Sequence, residues 1–127
     1  MKSYILDTSA LIAYIFKEKG GDNVVDYLEY PIISSVNYCE IVTFILKNGS
    51  SLDFLEDFLE AIPLEIIDFD EEQAVIAAEL RSKTKSKGLS LGDRACLALA
   101  MVKKIPVVTA DKIGSKLDID VNIKLIR

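Results

Sequence analysis

The stretch from Leu89 to Asp111 constrains the fold of this chain most. An apolar helix with one acid in its first turn, Asp93, leads through Lys103 and Lys104 into the short apolar run Val107–Thr109, and Asp111 follows directly. A strand with no polar face, next to a helix apolar nearly all round, is buried on both sides, as in a parallel sheet covered by helices. Similar short strands are expected at Ser3–Leu6, Ile32–Ser34, Leu64–Asp68 and Val121–Ile126. Helix-period segments fall between them at Ala10–Phe16, Asp22–Glu29, Ser35 through Lys47, Ser51 to Ile62, and Asp70 to about Thr84, with a short helix after Asp111. Gly20-Gly21, Asn48-Gly49, Pro63 and Gly88 supply the breaks. Strands alternating with helices predict an α/β fold with a parallel sheet and helices on both faces. With 127 residues and no repeat, low-complexity tract or linker, residues 1–127 are expected to form a single domain.

Four carboxylates then need a common explanation. Asp7 and Asp111 each stand immediately after a strand, and Glu40 and Asp93 each sit in the first turns of an apolar helix. In such sheets ligands gather beyond the carboxyl ends of the strands, where strand order reverses, so all four acids belong to one edge. Each alone has a structural account. Asp7 or Asp111 can cap the following helix, and Ser90-x-x-Asp93 and Asn37-x-x-Glu40 have capping-box spacing. Together they fit a second account better, because both helices are expected to be buried and a buried charge is costly unless paired or bound to metal. Arg94 is the only basic residue close by in sequence and cannot neutralise four acids. An all-oxygen cluster suits Mg2+ or Mn2+, one or two ions, which activate water and stabilise developing charge on a phosphate.

Composition narrows the chemistry further. The chain has no histidine, which removes Ser-His-Asp and Cys-His schemes and most catalytic zinc sites. A net charge of -5 argues against binding DNA by charge alone, yet leaves room for an acidic pocket whose field is set by a bound cation. Cys39 and Cys96 have no CxxC spacing and read as reduced thiols in the core. There is no signal-peptide pattern and no apolar run of membrane-spanning length, so a cytoplasmic protein without membrane contact is expected.

The four acids also carry a resemblance. MKSYILDTSALIAY, ISSVNYCEIV, GLSLGDRACLALA and PVVTAD resemble, in order and spacing, the signature blocks of PIN-domain ribonucleases, and within them the VapC toxins of prokaryotic toxin–antitoxin pairs. The resemblance implies a three-layer α/β/α sandwich with a five-stranded parallel, Rossmann-like sheet. It also implies a Mg2+- or Mn2+-dependent endoribonuclease. The family's acidic quartet falls on Asp7, Glu40, Asp93 and Asp111, with Asp7 and Asp93 as the direct ligands, Glu40 next, and Asp111 at the margin. Its hydroxyl position falls on Thr109, and Ser9 fits as a partner for metal-held water. The resemblance further implies a homodimer and silencing by a VapB-like antitoxin laid over the helices near the site. The apolar faces expected on the helices over 22–29, 35–47 and 51–62 are consistent with such a partner.

Arg81, Lys83, Lys85 and Lys87 lead into Gly88 and form either an exposed cationic helix end or a track for the RNA backbone. Arg94 is a candidate for contact with a phosphate or an antitoxin carboxylate. Three other activities compete. A haloacid-dehalogenase-like phosphatase needs a second acid where Ser9 stands, and a phosphoacceptor receiver domain needs an acidic pair in the first strand–helix turn. A non-catalytic PIN-fold module working through a protein partner keeps the same residues without chemistry.

Overall fold

The computed structural model describes residues 2–84, 88–112 and 117–127. Among these, the strands β1 (Ser3–Leu6), β2 (Tyr30–Ser34), β3 (Glu65–Ile67), β4 (Val107–Thr109) and β5 (Ile123–Leu125) form one sheet in the order β3-β2-β1-β4-β5. Every pairing is parallel, and Ile5 of β1 lies opposite both Ile32 of β2 and Val107 of β4. The connections contain the helices α1 (Thr8–Ile15), α2 (Ser35–Lys47), α3 (Leu52–Leu59), α4 (Glu71–Thr84) and α5 (Leu91–Lys103).

The two-residue period of a strand sorts its side chains between two cores. Leu6, Ile33 and Val108 face Leu11 of α1, Ile41 and Ile45 of α2, and Leu55 of α3. Ile5, Ile32 and Val107 face Cys96, Leu99 and Ala100 of α5, and α4 packs outside α5. The result is the expected three-layer α/β/α arrangement. Helix α5 is buried without interruption from Ala95 to Ala100, as its apolar sequence requires. No helix among the described residues is long and apolar enough to cross a membrane.

Local departures from the expected elements have physical causes. The segment after Gly20 is a 3-10 helix, Gly21–Tyr27, rather than an α-helix over Asp22–Glu29. Gly21 packs against the backbone carbonyl of Ala13, and only Gly21 and Val24 of the segment are buried, the three-residue spacing of a 3-10 turn. Val25, expected beside Val24, is exposed. Helix α2 is buried along one stripe, Asn37, Ile41 and Ile45, and not all round. Its outer face has no covering layer, so Cys39 is exposed rather than a core thiol, while Cys96 is buried as expected. Ser34 caps α2, accepting from Val36 N–H at 3.2 Å, and Ser35 accepts from Phe69 N–H at 3.0 Å. Asp70 caps α4 through Gln73 N–H at 3.0 Å, while the Gln73 amide donates to the Asp68 carbonyl at 3.0 Å. The short helix expected after Asp111 falls partly outside the described residues.

Candidate active site

The chain runs from β1 outward through β2 to β3, then returns to the other side of β1 with β4 and β5. Strand order therefore reverses between β1 and β4, and the crevice beyond their carboxyl ends is the place where open α/β sheets bind ligands. Asp7 follows β1 there, Thr109 is the last residue of β4, and Asp111 lies two residues beyond it.

Asp7 caps α1: its Oδ1 accepts from Thr8 N–H at 2.9 Å. Its Oδ2 accepts from the Thr109 hydroxyl at 2.8 Å and the Ser9 hydroxyl at 3.0 Å. These hydroxyls in turn accept backbone N–H groups of the loop after β4, Asp111 to Thr109 and Ala110 to Ser9, each at 3.0 Å. Ser9 and Thr109 thus tie the Asp7 carboxylate to the segment that carries Asp111. Asp7 is 7% exposed. Burial pushes its carboxyl up to about 6, the Thr109 hydrogen bond opposes this, and the charge of Asp93 adds to the rise.

Asp93 is held by the first turn of α5. Ser90 Oγ accepts from Asp93 N–H at 3.1 Å, and Asp93 Oδ2 accepts from Ser90 N–H at 3.0 Å, a complete capping box. The residue expected to have the weaker structural account therefore has a full one, with its charge still felt at Asp7. Glu40, on α2, uses Oε1 to accept from the Thr8 hydroxyl at 2.6 Å and the Asn37 amide at 3.0 Å. Its carboxylate lies against Gly92, where any β-carbon would overlap it.

Asp7, Asp93, Asp111 and Thr109 line a cleft of about 20 Å3, with Cys96 and Leu97 also in its wall. That volume accommodates one water-sized species. Glu40 is not in this lining. Cys96 nevertheless senses three acids: burial pushes its thiol up, and the charges of Asp7, Asp93 and Glu40 push it further. Among the described residues, none of Asp7, Glu40 and Asp93 is in an ion pair. Among the described residues, no three His, Cys, Asp or Glu side chains stand close enough together to form a ready-made metal cage.

The basic candidates are dispersed. Arg94 turns to α4, donating from Nη1 to the Ala77 carbonyl at 3.0 Å, and its buried Nε has no hydrogen-bond partner among the described residues. Arg81 is exposed and lines a hollow of about 220 Å3 with Thr84, Gly88 and Leu89; Leu89 also lines the acidic cleft. Lys83 faces a different depression, beside Glu79 and Met101. Lys85 and Lys87 lie outside the described residues.

Three residues around the acids were read in the sequence as caps or not singled out at all: Thr8, Asn37 and Gly92. Gly92 carried a detectable signal, because glycine in a helix costs about 1 kcal/mol relative to alanine and so implies a packing reason. Asn37 did not, since its spacing to Glu40 fits a helix cap equally well.

Known proteins share this fold. The family profile of the PIN domain matches residues 4–119. DNA-bound VapBC from Salmonella typhimurium superposes with a TM-score of 0.79 at 21% identity, covering 100% of both chains. FitAcB from Neisseria gonorrhoeae gives 0.72 at 27% identity over 97% of each chain. Mycobacterium tuberculosis VapC20, described as a sarcin-ricin loop cleaving toxin, gives 0.73 at 12% identity over 94% of this chain and 99% of its own. No curated protein matches the chain by sequence. With the profile spanning nearly the whole sequence and the acids collected at the β1/β4 crevice, the chain belongs to the PIN-domain family.

Proposed function

We propose that this chain is a divalent-metal-dependent endoribonuclease, the toxin of a VapBC-type toxin–antitoxin pair. The observation that carries the proposal is Asp7: a carboxylate 7% exposed, clamped by two hydroxyls at the strand-order reversal, beside a second acid and with no cationic partner among the described residues. Ionising such a group is unfavourable unless a cation arrives. The donors present are all hard oxygens, which fits Mg2+ or Mn2+.

Asp7 and Asp93 would hold the ion, with Asp111 in the cleft wall and Glu40, outside the lining, adding its charge from α2. The bound ion supplies Lewis-acid activation of water and neutralises charge at the phosphate. Ser9 and Thr109 fix the Asp7 carboxylate, leaving it one orientation toward the cleft. Burial around Cys96 and Leu97 excludes bulk water from one wall and strengthens the field of the acids. Arg81 lines a hollow that shares Leu89 with the cleft, which supports a role in holding the RNA backbone.

The proposed partners are a VapB-like antitoxin and a second copy of the chain. Support comes from the relatives, solved as toxin–antitoxin complexes, and from the exposed apolar residues Leu46, Leu52 and Phe54 on α2 and α3. Phe54 lies within an aromatic array with Phe16 and Phe58, a surface suited to an apolar segment.

Purified protein mixed with structured and single-stranded RNA is expected to cleave with Mn2+ or Mg2+ and to stop in EDTA. Asp93→Asn preserves an acceptor for Ser90 N–H while removing the charge, so it is expected to stay folded and lose at least about 100-fold in rate. Cleavage that persists in EDTA, or in Asp93→Asn at near wild-type rate, would sink the metal-carboxylate mechanism. Tight antitoxin binding without any cleavage would instead identify a non-catalytic module.

A further inference from the structure

The side chain of Asn37 is fully buried at the point where α1, α2 and α5 meet. Its amide nitrogen lies 3.0 Å from Glu40 Oε1, 3.0 Å from the Thr8 hydroxyl and 3.1 Å from the Gly92 carbonyl. All three are acceptors toward it, since the Thr8 hydroxyl gives its own hydrogen to Glu40. That choice fixes the amide orientation, because a flipped amide would present its oxygen to acceptors alone. The opposite end, Asn37 Oδ1, is buried with no hydrogen-bond partner among the described residues. All the donor capacity of this amide goes to the surroundings of the acids.

Each of its contacts touches a neighbour of a different site acid. Thr8 follows Asp7, Gly92 precedes Asp93, and Glu40 is itself one of the four. Gly92 contributes from the other side, since only a residue without a β-carbon leaves room for the Glu40 carboxylate. Resting on the nuclease proposal above, we infer that Asn37 is a positioning residue that sets the orientation of the Glu40 carboxylate beside the first turn of α5. It touches no substrate and acts through Glu40. Groups that orient metal-binding carboxylates typically change metal affinity or activity by about 10- to 100-fold when removed.

The test is a double-mutant cycle between Asn37→Leu and Glu40→Ala, read by Mn2+ affinity from the EPR signal of free Mn2+ and, separately, by kcat for RNA cleavage. Asn37→Ala serves as the second variant, removing the donor without adding bulk where leucine disturbs folding. The expected result is a loss of at least about 10-fold in Mn2+ affinity and in kcat in the wild-type background, with KM for RNA within about twofold, and almost no further loss when Glu40 is already alanine. A merely structural asparagine would lower both quantities by the same factor in both backgrounds, and that outcome, or no loss at all, overturns the inference. A wild-type protein that neither binds Mn2+ nor cuts RNA would defeat the nuclease proposal itself, and the role of Asn37 with it.

Discussion

Replacing Asp7 by Asn is expected to abolish RNA cleavage while making the metal-free protein more stable. The two effects have one source. The carboxyl of Asp7 is pushed from 3.8 to about 6, first by burial and then by the charge of Asp93, against the opposing hydrogen bonds of Thr109, Ser9 and Thr8. A folded-state value above the unfolded one means that the native protein holds the proton more tightly. Stability is therefore greatest when Asp7 is protonated in both states, and it falls as pH rises from about 4 to about 6. Above that window the ionised carboxylate costs about 3 kcal/mol. Asn carries no such cost, and its amide can still accept from Thr8 N–H and donate to the Ser9 or Thr109 hydroxyl, each of which has a lone pair to spare. In EDTA, melting curves of the two proteins are expected to coincide near pH 4 and separate by several degrees by pH 7, with Asp7→Asn the higher. Saturating Mn2+ is expected to reverse the order, because only the wild type is stabilised by binding. Cleavage by Asp7→Asn is expected to fall by at least about 1,000-fold. A variant that melts below the wild type in EDTA at pH 7 would show that the buried carboxylate is not the liability argued above.

The order of these events along the chain was open to inspection in the sequence because strands and site share one signal. Ser3–Leu6 and Val107–Thr109 are short, apolar and followed by an acid, so the residues that call for a buried parallel sheet also place Asp7 and Asp111 at its carboxyl edge. Features that depend on which face of an element has a neighbour were not open in that way. Helix α2 is apolar on nearly every side, and nothing in its composition says that Cys39 and Leu46 look outward while Asn37 looks in. Arg94 likewise sits beside an acid in sequence but, at helical spacing, points across to Ala77 of α4. Asp93 shows the ambiguity most sharply: Ser90-x-x-Asp93 is a capping box and a candidate ligand site at once, and the spacing that serves one function serves the other. A capping box holds one carboxylate oxygen against the backbone and leaves the second free, so the cap also pre-sets the rotamer that a ligand needs.

Gly92→Ala is expected to be as damaging as loss of an acid, although it deletes nothing. In an exposed helix this exchange stabilises by about 1 kcal/mol. Here the added β-carbon falls on the Glu40 carboxylate, which cannot stay where Thr8 and Asn37 hold it. Overpacking of this kind typically costs about 1–3 kcal/mol, at the low end here because the atoms that must move are the end of a flexible side chain, and a displaced Glu40 gives up its hydrogen bonds from Thr8 and Asn37. With the helix propensity of alanine offsetting part of the loss, the net expectation is a protein destabilised by up to about 1 kcal/mol, with cleavage reduced at least about 100-fold. The cause can be isolated with a second change. In a Glu40→Ala background the space beside Gly92 is vacated, so adding Gly92→Ala is expected to raise the melting temperature instead of lowering it, with the helix propensity of alanine no longer opposed. That reversal of sign, measured by thermal or urea unfolding, separates a steric claim on Glu40 from a general intolerance of α5 to substitution. Equal destabilisation in both backgrounds would mean that Gly92 is kept for some contact other than the carboxylate it faces.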